Sequence, residues 1–133
     1  MSGIISLYID QTSGIIDLPQ SIPAQQIKLK SYRIEFDTQT NARSNNVIMF
    51  SCDWTKNASL YNGYTRGTTG GIFTGLPILT HNEQVYTQTC DITFDIPKEI
   101  NKTFNYQLLS IGNDLTGFQN LTLVFEYNYG GIL

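Results

Sequence analysis

Between Gln84 and Tyr127, apolar and polar side chains alternate at every second position, and this alternation constrains the chain more than any other feature. In Val85–Ile96, Tyr86, Cys90, Ile92, Phe94 and Ile96 fall on one side. Thr87, Thr89, Asp91, Thr93 and Asp95 fall on the other. In Leu121–Tyr127, Leu121, Leu123, Phe125 and Tyr127 alternate with Thr122, Val124 and Glu126, and Phe104–Ile111 makes a further strand between these two. Side chains two apart on an extended backbone share a face, so both patterns predict sheets with one wet and one dry side.

The upstream half reads the same way. Ile4–Ile9 places Ile5, Leu7 and Ile9 against Ile4, Ser6 and Tyr8. Ile15, Ile16 and Leu18 form a short run ended by Pro19, and Pro19 and Pro23 bracket a loop because neither donates to a ladder. In Ile27–Phe36 the apolar phase changes: Ile27 and Leu29 are in one register, Tyr32, Ile34 and Phe36 in the other. That slip predicts a bulge or a bend near Lys30-Ser31, and such bends let a strand leave one sheet and enter another. Val47–Trp54 sets Ile48, Phe50, Cys52 and Trp54 on one side, and Leu76–Thr80, interrupted by Pro77, reads as an edge strand. The segment Lys56 to Gly75 carries Tyr61, Tyr64 and Phe73 among five glycines and reads as a long irregular loop, the kind of connection a Greek key needs. Pro97–Lys102 reads as a turn or a single helical turn.

No stretch repeats apolar residues at helical spacing over three turns. A single domain spanning 1-133, with about eight short strands, predicts an all-β fold, a sandwich or a barrel.

The sequence holds no catalytic signature. His81 is the one histidine, which leaves no relay and no metal pair. No G-x-S-x-G elbow or C-x-x-C occurs, and the glycines of 63–75 lack the G-K-[ST] ending of a phosphate loop. Asp91 and Asp95 have the makings of a glycosidase pair or a Ca²⁺ site. They read better as the wet side of an amphipathic strand. Trp54 could stack a sugar but reads better as core. Cys52 and Cys90, both mid-strand among apolar neighbours, read as two buried thiols rather than a disulfide. We therefore expect no enzyme, no cofactor and no metal.

Charge narrows the partners. The net charge is −3 and no run of Lys or Arg occurs, so direct nucleic-acid binding is not expected. No signal peptide and no apolar run of membrane-spanning length is present, which predicts a soluble product of the cytoplasm. Charged residues make up 14% of the chain, below the roughly 25% usual for soluble domains. A surface polar through Thr, Asn, Ser and Gln repels its neighbours weakly and suits packing among many copies.

Three local patterns resemble a known family: the strand Ile-Lys-Leu-Lys-Ser-Tyr-Arg-Ile-Glu-Phe at 27–36, the strand-to-turn Thr-Phe-Asp-Ile-Pro-Lys-Glu-Ile at 93–100, and the closing Gly-Phe-Gln-Asn-Leu-Thr-Leu-Val-Phe-Glu-Tyr at 117–127. Their order resembles the small single jelly-roll proteins in the capsids of double-stranded DNA viruses, including virophages and polinton-like viruses. The resemblance implies an eight-stranded antiparallel β-sandwich of jelly-roll (Greek-key) type. It also implies a structural virion protein that self-associates, as a pentamer or trimer, and packs with other capsid proteins. Many such proteins carry a basic arm for the genome. Its absence here implies an outer-shell role as penton, minor capsid or decoration subunit. Candidate contact residues are Ile4, Ile5, Tyr129, Ile132 and Leu133 at the chain ends, and Tyr61, Tyr64 and Phe73 in the glycine-rich segment. The alternative is a trimeric binding head resembling tumour-necrosis-factor or C1q-like domains, or a sugar-binding sandwich that uses the 56–75 segment with Trp54 or Tyr61 to hold a glycan. A cupin-like enzyme needs a histidine cluster that one His does not supply.

Overall fold

The alternating segments become strands that pair antiparallel throughout. The computed structural model describes residues 2–37, 47–55, 59–62, 71–79, 84–96, 98–110, 115 and 117–129, without the side chains of 47, 59–62, 71–74, 94 and 110. In chain order the strands are β1 (Ser2–Ile9), β2 (Ser13–Asp17), β3 (Ile22–Pro23), β4 (Gln26–Phe36), β5 (Val47–Cys52), β6 (Ser59–Asn62), β7 (Gly71–Thr74), β8 (Leu76–Leu79), β9 (Val85–Asp95), β10 (Glu99–Ile100), β11 (Thr103–Ser110) and β12 (Phe118–Asn128). The helical structure among the described residues is one 3₁₀ turn, Asp53–Thr55.

The pairing follows one rule. β1 pairs with β12, β2 with β11, β3 with β10, β4 with β9, β5 with β8 and β6 with β7. Each ladder nests inside the one before it, so the chain is laid out as a long double ribbon whose innermost pair is β6–β7. Two more ladders, β12–β4 and β11–β5, join the ribbon to itself. The result is two four-stranded sheets, ordered β1-β12-β4-β9 and β2-β11-β5-β8.

The inner faces of both sheets line one core. From the first sheet come Ile5, Leu7, Ile9, Ile27, Leu29, Ile34, Phe36, Leu121, Leu123 and Phe125; from the second, Ile48, Phe50, Leu76, Ile78, Phe104 and Leu108. This arrangement is consistent with a β-sandwich. Trp54 is the plug between the layers. Its ring centroid lies 5.5 Å from that of Phe104 and 6.2 Å from that of Phe50 on one sheet, and 5.2 Å from that of Phe125 on the other. The sheets are also stitched at an edge. The Tyr32 hydroxyl on β4 donates to the Leu79 carbonyl and accepts from the Leu79 amide on β8, each at 3.1 Å.

Several expectations are corrected by the fold. The phase slip in β4 is a bulge: the register against β12 and against β9 shifts between Leu29 and Ser31, leaving Lys30 exposed. The strand does not change sheets there; it keeps both neighbours along its length. A bulge is enough to turn Ile27 and Leu29, then Tyr32, Ile34 and Phe36, toward the same core. The expected loop at 56–75 contains the β6–β7 hairpin, whose register sets Leu60 opposite Phe73 and Tyr61 opposite Ile72. The expected turn at 97–102 contains β10, which pairs Glu99 with Pro23 and Ile100 with Ile22. Pro23 sits in that two-residue ladder because pairing can use its carbonyl alone. The strands described number twelve rather than eight, the extra four being these short pieces. Trp54 leaves the strand for the 3₁₀ turn, which Thr55 locks by accepting a hydrogen bond from the Cys52 amide at 2.9 Å. Gly75 then turns the chain from β7 into β8 at φ +133°, where a Cβ would run into the Phe50 carbonyl oxygen. Only glycine meets both demands.

Candidate functional site

No group of three or more His, Cys, Asp or Glu stands close enough to hold a metal ion among the described residues. Asp91 and Asp95 lie exposed on the outer side of β9, as the wet face of the strand. Asp91 pairs with Lys28 at 3.1 Å, and Asp95 accepts from the Gln26 side chain at 3.4 Å. His81 lies outside the described residues.

Both cysteines sit where the thiol form is favoured over the thiolate. Cys52 and Cys90 are both free thiols on opposite sheets; Cys52 is buried and Cys90 half-buried. Burial pushes the Cys52 thiol up to about 12, against the opposing pull of hydrogen bonds at Trp54 and Thr55. Burial, then the nearby Asp91 carboxylate, raises Cys90 too, and its Sγ lies 3.5 Å from the Leu29 carbonyl. A thiol held protonated is a poor nucleophile. Tyr32 is pushed up to about 12, chiefly by burial.

Two hollows stand out on the surface of the described residues. The larger, about 570 Å³, lies over β2, β11 and β5 and is lined by Ser13, Ser51, Asp53, Asn105, Gln107 and Ile15. Hydroxyls, amides and one carboxylate line it together with the apolar side chain of Ile15. The one ring lining it, Tyr106, is buried, and its hydroxyl donates to the Gln11 carbonyl at 3.0 Å. The smaller, about 260 Å³, lies beside the 3₁₀ turn, with Lys98, Glu99 and Asn101 at its rim.

The expected contact residues separate into three groups. Ile4 and Tyr129 are exposed, at 62% and 48%. Ile5 is 8% exposed and belongs to the core, which corrects its assignment as a contact residue: it follows Leu7 and Ile9 in the inward phase of β1. Tyr61 and Phe73 are on the β6–β7 hairpin, their side chains outside the description, while Tyr64, Ile132 and Leu133 lie outside the described residues altogether. Trp54 is 5% exposed and packs against the rings of Phe50, Phe104 and Phe125, so it offers little surface to a sugar. Tyr8, 66% exposed on β1, and Ile15, 68% exposed on β2, were not singled out by the sequence reading. Their opposite phase to Ile9 and Ile16 was the available signal. Among the described residues the exposed large apolar side chains other than Tyr129 lie on edge strands: Ile4 and Tyr8 on β1, Ile15 on β2, Leu79 on β8 and Val85 on β9.

No family model matches the chain. No curated protein matches it either. Among solved structures it is similar to an aerolysin-like protein from Bombina maxima, at 8% identity and a TM-score of 0.23, over 95% of this chain and 91% of that one. Similarity at that level carries no argument about fold or function. No helix among the described residues is long and apolar enough to cross a membrane.

Proposed function

We propose that this chain is a structural coat subunit of the jelly-roll type, a penton, minor capsid or decoration protein that acts by packing against copies of itself and other coat proteins in a virion. The observation that carries the reading is the nesting of six ladders, β1–β12 through β6–β7. A long double ribbon rolled so that alternate pairs fall in opposite sheets generates the jelly-roll order. Numbered 1 to 8 along the chain, the eight strands of the two sheets run 1-8-3-6 and 2-7-4-5. Jelly rolls serve chiefly as capsid, lectin and cupin domains. The single His leaves no metal cluster for a cupin, and Trp54 and Tyr106 are buried, which removes those two rings as stacking platforms for a lectin. A coat subunit needs edges and faces that meet neighbours over on the order of 2,000 Å². Exposed Ile4, Tyr8, Ile15 and Leu79 on sheet edges and a low density of charge supply them.

Native mass spectrometry and electron microscopy of the purified chain test this. A closed ring, pentameric or trimeric, or larger particles are expected. A monomer at every concentration counts against it. The groove over β2, β11 and β5, with the amides of Asn105 and Gln107 in its wall, favours the alternative of a binding head, for which glycan-array binding competed by free sugar, and lost in Asn105→Ala with Gln107→Ala, is the expected signature.

A further inference from the structure

The four sheet edges differ in their protection. β8 is four residues long and contains Pro77. β2 is five residues, ends in Asp17 and is followed by Pro19. β9 presents Asp91 and Asp95 and carries a register shift opposite Lys30. Charges, prolines, bulges and shortness are the usual defences of an edge against another strand. β1 has none of them. It runs eight residues as Ser-Gly-Ile-Ile-Ser-Leu-Tyr-Ile, without a charge or a proline, and pairs residue for residue with β12 from Ser2↔Asn128 to Ile9↔Leu121 without a shift. Among the described residues no strand covers its other side. The ring of Tyr127 lies over Gly3, where a Cβ would strike it, and so covers the one position that lacks a side chain.

A free edge offers backbone donors and acceptors, so its partner is another extended strand. The sequence of β1 itself has the required form. Counted outward from Ser6, Ile5 matches Leu7 in the inward phase, and Ile4 matches Tyr8 in the outward phase. We propose that β1 is a seam at which two copies of this chain join antiparallel, about a twofold axis through Ser6. It rests on the coat-subunit reading only in taking a second copy as the occupant.

The register follows from the faces. Opposite residues of an antiparallel pair point to the same side, so the two positions must share parity or an apolar phase turns outward. Among the registers that satisfy this, the one centred on Ser6 alone sets each exposed Ile4 beside the partner copy's exposed Tyr8 while keeping most of the strand paired. That is an aromatic-to-β-branched cross-strand pair, made twice. The β1-β12-β4-β9 sheets of the two copies become one eight-stranded sheet, and the side chains exposed at 62% and 66% cover each other.

The test uses the full chain at micromolar concentration. Ile4→Lys with Tyr8→Lys changes two solvent-facing side chains, and unaltered far-UV circular dichroism and melting verify the fold. Ile15→Lys, on the β2 edge, is the control. The wild type and the control are expected to contain the twofold pair by sedimentation velocity, and the double variant to lose it. For the register, Ser6→Cys in a Cys90→Ser background is labelled with pyrene. The two labels meet at the axis and give excimer emission. The same label at Ser2→Cys lies roughly 27 Å from its copy and gives none. Assembly that survives the double variant, or excimer emission stronger at Ser2 than at Ser6, overturns the seam and leaves the coat reading standing. A pair that forms through β1 and assembles no further supports the seam and counts against the coat reading. A wild type monomeric throughout overturns both.

Discussion

Trp54 is the residue whose loss the sandwich should feel most. It is 5% exposed and sits between rings of both sheets, with Phe104 and Phe125 edge-on at 5.5 and 5.2 Å. A buried aromatic side chain removes about 150–250 Å² from water, which at about 25 cal/mol per Å² amounts to about 4–6 kcal/mol of transfer free energy. Partial collapse of the layers onto the space recovers some of this, so Trp54→Ala is expected to cost about 3–5 kcal/mol. A 133-residue domain of ordinary stability has about 7–20 kcal/mol in all, so the variant should fold but with a sharply lowered midpoint. Trp54→Phe, which keeps a ring, should cost on the order of 1–2 kcal/mol. Urea denaturation followed by far-UV circular dichroism measures both, since the variants lack the only tryptophan. Tyr8→Ala, at an exposed position, should shift stability by less than about 0.5 kcal/mol when measured on the dissociated chain. A Trp54→Ala cost below about 1 kcal/mol would refute the reasoning, because it would mean that the ring does not bridge the two layers.

Gly75→Ala should destabilise by about 1–3 kcal/mol in the same assay, since it combines a positive φ with a Cβ driven against the Phe50 backbone; a neutral result contradicts the tight approach of β7–β8 to β5. Tyr32→Phe removes the hydroxyl that both donates to and accepts from Leu79, and should cost about 1 kcal/mol and speed amide exchange at Leu79. Above pH 9.0 an unfolded Cys52 ionises while the folded thiol stays protonated up to about 12. Stability should therefore fall between those values, by at most about 1.4 kcal/mol per pH unit from this group, and Cys52→Ala should flatten the slope. In native protein at neutral pH, iodoacetamide should label half-buried Cys90 before Cys52, and unfolding should remove the difference.

How much of this was legible depended on how local the signal is. The inward phase of β9 and β12 was plain, because an eleven-residue strand repeats its period several times. The bulge at Lys30 was legible as a slip between Leu29 and Tyr32, but its consequence was not: whether a bulged strand changes sheets depends on its neighbours, β12 and β9, which are distant in sequence. β3 and β10 are two residues each and exist only because the nested ribbon brings 22–23 and 99–100 together. The β6–β7 hairpin was hidden by glycines that interrupt any alternation. Ile4, read as a contact residue, is exposed, and so is Tyr8, which shares the outward phase of β1 and was not singled out. Ile5 was assigned to the surface for being near the chain's start, where its parity with Leu7 and Ile9 was the better guide.

The account depends on one ribbon folded into two layers with Trp54 between them, and a solution NMR nuclear Overhauser experiment on the wild type tests that most directly. It should show the Trp54 indole close to the rings of both Phe104 and Phe125, together with backbone contacts of β1 to β12 and of β2 to β11 in the registers Leu7↔Leu123 and Ile16↔Phe104. Contacts that instead join β1 to β2 as a simple hairpin, with the indole near rings of one layer only, would contradict it.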